Sequence, residues 1–218
     1  MTGTDGNEKR VAAYSALAAN DPVLAAMIET HGTPDPFVWN DGGRTGTSNF
    51  AAMTLHIVGQ QISITVAYTL YDRIAAATGG IPDPDTVIAL GPERLRGFGL
   101  STAKARYILD LAGRVRSGQL EIQHMDDLSD AEAVTALTAV TGVGLWSAEM
   151  FLIHQLHRQD ILPAGDIGVR RAIARAWTLN EAPTIDEVRQ RGQGWAPDRS
   201  YATALLRRSL TMTEGTPA

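Results

Sequence analysis

Asp166 stands between Pro163-Ala164-Gly165 and the run IGVRRAIARA (Ile167 to Ala176), whose apolar residues recur at helical spacing. An aspartate in that place is first of all a helix N-cap, its carboxylate accepting the N–H groups two and three residues on. Presented to a sugar, the same carboxylate stabilises an oxocarbenium-like transition state and orients an attacking water. The two readings are compatible, because a helix start favours the charged form of a carboxylate. A second stretch of interest is Gly142-Val143-Gly144, a break between a helix that ends there and one in which Leu145, Ala148 and Leu152 share a face. Two glycines let the backbone turn tightly and leave its N–H groups uncovered, at the positive end of the following helix, which is a seat for a phosphate oxygen. A third is Gly59-Gln60-Gln61, two amides at a break between apolar helices. They either cap backbone groups in a helix-helix turn or are offered to a partner.

Trp146, just past the glycine turn, is open to two readings as well. A tryptophan on a helix packs in a core, and an indole face is also a platform for a flat cationic base. Met150, one turn further along, either lines the same place or fills a gap in the core. His154 and His157 are the proton donors nearest in sequence, and each also reads as an ordinary helix-surface histidine.

The elements that must hold these groups read as helices throughout. Asp21-Pro22 opens one that Gly32 closes, and a Pro-, Gly- and Asp-rich connector runs from Thr33 to Thr47. Ser48 opens a helix that breaks at Gly59-Gln60-Gln61, and Ser63 opens the next, to about Thr78. Ile81 to Asp85 is a turn before a short helix to Leu90. Leu95 to Val115 is a helix-turn-helix with Gly97 and Gly99 in the turn, Ser101 as cap, and Ala105, Ile108, Leu109 and Ala112 on the buried side. Ser129 with Glu132, and Thr184 with Glu187, have capping-box spacing. A last helix runs from about Asp198 to Leu210, and residues 211–218 form a tail. No segment alternates as a strand does. The expected fold class is all-α, with about ten helices, the first beginning near residue 10.

At 218 residues and 44% hydrophobic the chain has enough apolar side chains for a substantial core. It has no apolar run of the ~20 residues that span a bilayer, and MTGTDGNEKR has no signal-peptide core, so a cytoplasmic protein is expected. The absence of cysteine excludes disulfides and a cysteine-ligated iron-sulfur cluster. A formal net charge of −5 argues against a non-specific nucleic-acid coat. It leaves room for a local basic face: Arg94, Arg96, Lys104, Arg106, Arg114 and Arg116 form one cluster, and Arg170, Arg171 and Arg175 another, unless these are merely solvated helix faces.

Four motifs in order carry a resemblance: GQQIS (Gly59 to Ser63), LTAVTGVGLWSA (Leu137 to Ala148), PAGDIGVRRA (Pro163 to Ala172) and WAPDRSYA (Trp195 to Ala202). Together they resemble the helix-hairpin-helix (HhH-GPD) DNA glycosylases, in particular the 3-methyladenine DNA glycosylase II branch. The resemblance spans roughly Phe50 to Leu210. It implies one glycosylase unit over 1–218, with one lobe from about 48–165, a second from 10–47 plus 166–210, and an active-site cleft between them. Asp166 is then the catalytic carboxylate. Trp146 and Met150 belong to the base pocket, and Gln61, beside Gln60, is the minor-groove wedge that fills the gap left by a flipped nucleotide. The N–H groups of Gly142, Gly144 and Ser147 hold a DNA phosphate. The carbonyls of Thr138, Val140 and Val143 hold a sodium or potassium ion, or a water in the same seat.

Where lyase-active relatives place a nucleophilic lysine, this chain has Trp146, so the resemblance implies a monofunctional glycosylase with no required cofactor. The partner it implies is double-stranded DNA with alkylated bases, handled by a monomer in the cytoplasm, on the nucleoid. An alkylated purine is cationic and leaves neutral, so one carboxylate and an aromatic box suffice; a neutral oxidised or mismatched base needs a proton donor as well. One departure is Asp198, where members of the branch carry an aromatic pocket wall; it leaves the pocket more open or more polar. The rival expectations are a DNA-binding module that has lost its chemistry, and a glycosylase for mismatched or oxidised bases.

Overall fold

The computed structural model describes residues 3–211, so residues 212–218 of the expected tail lie outside the described residues. Among the described residues there are eleven α-helices and no strand. They are α1 (Gly3–Asn20), α2 (Pro22–His31), α3 (Asn49–Gly59), α4 (Ile64–Thr78), α5 (Pro84–Gly97), α6 (Thr102–Arg116), α7 (Asp130–Thr138), α8 (Leu145–His154), α9 (Ile167–Ala176), α10 (Ile185–Arg191) and α11 (Arg199–Thr211). Short 3-10 turns at Ile122–Asp127 and Gly192–Trp195 join them. The first helix thus starts earlier than residue 10, and the turn before α5 ends at Asp83, whose side chain caps that helix in a reciprocal box with Thr86. Gly91, at φ +68 and followed by Pro92, kinks α5 where two separate helices were expected.

Helix starts follow local chemistry closely. Asp21, Ser48, Ser63, Asp83, Ser101, Ser129, Asp166 and Thr184 each accept a backbone N–H of the helix they open. Each such cap stabilises by about 1 kcal/mol.

The chain divides into two compact units, residues 39–156 and residues 1–38 with 157–218. In the first, α3 is apolar on nearly all sides and almost wholly buried, with α4, α6 and α8 packed around it. Leu111, rather than the expected Leu109, completes the buried face of α6 with Ala105, Ile108 and Ala112. In the second unit the two ends of the chain share one core: Tyr14 and Leu17 of α1 and Leu24 of α2 lie with Val169, Ile173, Trp195, Tyr201 and Leu205. The Tyr14 hydroxyl donates to the carbonyl of Pro34, and Trp195 Nε1 donates to the Asp21 carboxylate at 3.2 Å.

The unit boundaries differ from those expected at 47/48 and 165/166, for identifiable reasons. Trp39 packs on Ala51, Leu55 and Tyr71, and Arg44 makes a two-pronged pair with Asp72, so the connector from Trp39 onward goes with α3 and α4. Beyond Leu156 the chain is tied to α11 instead: Asp160 takes both prongs of Arg199, and Ser200 accepts the N–H of Ile161.

Candidate functional site

The glycine turn lies in unit 39–156, between α7 and α8. Gly142 has φ +82, a conformation that side chains rarely adopt, and the Tyr107 ring of α6 packs directly where its Cβ would be. Gly144 is different: its backbone is extended and a Cβ there would meet open space. It is also the N-cap of α8. Of the helices α2 to α10, α8 alone starts without a side-chain cap from its N-cap residue. That arrangement is a seat for an anion approaching from outside.

Two side chains from other helices hold the turn. Asp110 of α6 accepts the N–H of Thr141 at 2.8 Å and Nε of Arg114 at 3.0 Å. Burial alone would raise its pKa, but the Thr141 N–H and the Arg114 guanidinium outweigh this and hold it below the usual carboxylate range. Gln60, after α3, donates Nε2 to the carbonyl of Gly142 at 2.9 Å and to Ser147 Oγ at 3.4 Å. The Gln60 side chain is therefore engaged with the glycine turn, whereas Gln61 is exposed in the left-handed region at φ +57. Beside it Ile62 is also exposed, so the loop tip presents an amide and an apolar group together. Lys104, expected in solvent, reaches back to the carbonyl of Val58 at 2.7 Å and braces the end of α3 just before this loop.

Trp146 is 42% exposed on the first turn of α8, while Met150 and Ser147 are buried. Leu145, which by spacing shares a face with Ala148 and Leu152, is 46% exposed. From Ser147 to Ile153 every residue of α8 except the half-buried Glu149 is buried, whereas Leu145 and Trp146, at its start beside the turn, are exposed. Of the carbonyls expected around a cation, that of Val140 already accepts the N–H of Val143 at 3.1 Å, leaving it one lone pair. His154 stacks with His56 and Trp39, centroids 6.1 and 5.9 Å away. Burial, with the neighbouring His154, pushes the pKa of His56 down to about 3, so His56 is no acid at neutral pH. His157 lies against Phe37 in the other unit.

In that other unit Asp166 caps α9, Oδ1 accepting the N–H of Val169 at 2.9 Å, and its side chain is 8% exposed. Oδ2 accepts Nη1 of Arg207, on α11, at 2.7 Å. Gly168 leaves room for this carboxylate, since a Cβ there would come within 2.9 Å of Oδ1. Asp198 is buried and occupies the start of α11 through its backbone, while its carboxylate turns to Nε2 of Gln159. Of the basic cluster, Arg94, Arg96 and Arg106 are exposed, whereas Arg114 is drawn to Asp110 and Arg170 to the carbonyl of Pro183.

Tyr107, Asp110, Lys104 and Arg207 were not singled out from sequence for these tasks. Asp110 had one visible signal, as one of the few acids among the basic residues of that stretch. The expected loss on replacing it is specific: Asp110→Ala frees the Thr141 N–H and lowers stability at pH 7 by about 1–2 kcal/mol. Because the folded-state pKa is depressed, this contribution is present above pH ~4 and is lost as pH falls through the folded value. Denaturant melts of wild type and variant should converge in acid, and amide exchange at Thr141 should speed up only in the variant at neutral pH.

The HhH-GPD superfamily base excision DNA repair protein model matches residues 55–198, which includes the glycine turn, Trp146, Asp166 and Asp198. A Bacillus subtilis protein, YfjP, which carries a provisional DNA-3-methyladenine glycosylase name, is 31% identical over 198 residues, covering 86% of this chain and 65% of its own. DNA-3-methyladenine glycosylase 1 of Schizosaccharomyces pombe is 27% identical, covering 73% of this chain and 72% of its own. This chain therefore spans just under two thirds of the length of the first of these relatives. A crystal structure of a DNA-3-methyladenine glycosidase from Bacillus halodurans superposes with a TM-score of 0.79 at 29% identity, over 93% of this chain and 91% of that one. The S. pombe enzyme in complex with abasic DNA has a TM-score of 0.80 at 24% identity, covering 94% and 99%, a likeness of fold. With the matched segment embracing the turn, its braces and the capped aspartate, the chain belongs to the HhH-GPD superfamily of base excision DNA repair proteins.

Proposed function

We propose that this protein is a monofunctional DNA glycosylase that removes alkylated purines of the 3-methyladenine class from double-stranded DNA. The observation that carries the reading is Asp166: a carboxylate 8% exposed, held by a helix start and by Arg207, inside the segment the family model matches. The names of the relatives support the substrate class.

In this mechanism the N–H groups of Gly142, Gly144 and Ser147 hold a phosphate, and Gln61 fills the space of the extruded nucleotide, braced by the loop that Gln60 and Lys104 fix. Trp146, with its indole exposed, receives the flat cationic base, whereas Met150, only 2% exposed, is a core residue and not the pocket lining expected of it. The bond from C1′ to the base nitrogen breaks, the electron pair leaves with the base, and the cationic purine departs neutral. Asp166 stabilises the positive charge left on the sugar and orients the water whose oxygen bonds to C1′; the water proton passes to the carboxylate or to solvent. Trp146 supplies no amine, so no Schiff base forms at that position. The carbonyls of Thr138, Val140 and Val143 would hold an alkali ion, whose charge would add to the anion seat; neutral oxygen ligands suit such an ion better than zinc.

The test is release of free base, read by chromatography, from duplex treated with a methylating agent. The expected outcome is release of 3-methylated adenine with an intact abasic strand until alkali is added, and no borohydride-trapped adduct where a lyase control is trapped. Release of base only from DNA carrying 8-oxoguanine, or a trapped adduct, overturns the reading. Binding without any release would leave a DNA-binding module.

A further inference from the structure

We propose that Arg207 is a positioning residue for the Asp166 carboxylate, and that it contributes to the rate of base release without contributing to DNA affinity; this rests on the glycosylase reading above. The N-cap bond fixes only Oδ1, through the N–H of Val169 at 2.9 Å. A carboxylate held by one oxygen still turns about its Cβ–Cγ bond, because that torsion is broad. The second oxygen is held by Nη1 of Arg207 at 2.7 Å, from α11, 41 residues along the chain. Gly168 lies close to Oδ1, with no room for a methyl group that left the carboxylate where it is. Both oxygens of the carboxylate are thus engaged, which opposes rotation about the Cβ–Cγ bond.

The pair is asymmetric in a way that suits positioning rather than folding. Asp166 is 8% exposed at its side chain and Arg207 42%, so the guanidinium keeps much of its hydration and its charge is screened. Its contribution to stability is small for that reason, while its contribution to geometry is not: a catalytic group displaced by about 1 Å loses up to a hundredfold in rate. A lysine amine at the same position can donate to Oδ2 as Nη1 does, and so replaces the contact in part.

The experiment compares wild type, Arg207→Met and Arg207→Lys in single-turnover base release from alkylated duplex, with duplex affinity and thermal melting measured alongside. Arg207→Met should lower the saturated rate about tenfold with little change in affinity, Arg207→Lys should recover most of that loss, and added methylguanidinium should raise the rate of the Met variant alone. A Met variant with the wild-type saturated rate overturns the proposal. So does a loss confined to affinity, which would make Arg207 a phosphate ligand. Amide exchange at Val169 gives a readout independent of activity: it should rise in Arg207→Met and return toward wild type in Arg207→Lys, and no rise in the Met variant counts against the proposal. If wild-type protein releases no base while Val169 responds in this way, the glycosylase reading fails and the positioning contact stands.

Discussion

Asp166→Asn is expected to abolish base release while leaving duplex binding intact. The asparagine retains an oxygen for the N–H of Val169, so the start of α9 stays capped. Its amide group, however, turns a donor toward Nη1 of Arg207, which then swings into solvent. What is lost is the negative charge that the proposed mechanism uses to stabilise the sugar cation, and removing one such preorganised stabiliser costs on the order of 100-fold or more in rate. Affinity for duplex should hold or rise, because a carboxylate near phosphates is removed. Single-turnover release and a binding isotherm on the same alkylated duplex check both halves. A variant with wild-type turnover would take Asp166 out of the mechanism.

The second large effect is expected at the glycine turn, where two glycines two residues apart should fail in different ways. Gly142→Ala places a methyl group in the ring of Tyr107 at a φ of +82, so both the local conformation and the packing of α6 against the turn are violated. Left-handed backbone and overpacking together cost about 2–4 kcal/mol. The variant should melt earlier, and its binding to damaged and undamaged duplex should fall together. Removing the ring as well, in Gly142→Ala with Tyr107→Ala, should restore part of the stability but not the part due to backbone conformation. Gly144→Val should leave the melt unchanged, since its Cβ meets nothing and its backbone is extended. On the proposed reading it should still weaken binding to both duplexes, because a branched side chain would stand where the start of α8 is proposed to hold a phosphate. A loss restricted to alkylated duplex would show that the turn reads the base instead.

Both expectations, like the pH dependence of Asp110, depend on contacts of different sequence range, and legibility follows that range. The caps at Ser48, Ser63, Ser101, Ser129, Asp166 and Thr184 were readable because a cap is made between a side chain and N–H groups two or three residues away. The turn at Gly142-Val143-Gly144 and the break at Gln60-Gln61 were readable for the same reason. Burial was less so. Leu145 fits an apolar face by spacing and lies exposed, because spacing says which residues share a face and not where along the helix its cover begins.

The amino-acid sequence by itself determined the helical class, where most helices begin, the cysteine-free chemistry, the carboxylate at Asp166 and the indole at Trp146 in place of an amine. Tertiary structure alone decided what holds them. Thr141 finds Asp110, Gln60 finds the carbonyl of Gly142, and Asp166 finds Arg207, across 31, 82 and 41 residues. It likewise decided that Trp39 goes with α3 while Asp160 goes with Arg199. A local hydrogen bond is specified by the few dihedral angles between its partners, whereas these long-range ones exist only once the paths of whole helices have been fixed by the packing of their buried faces.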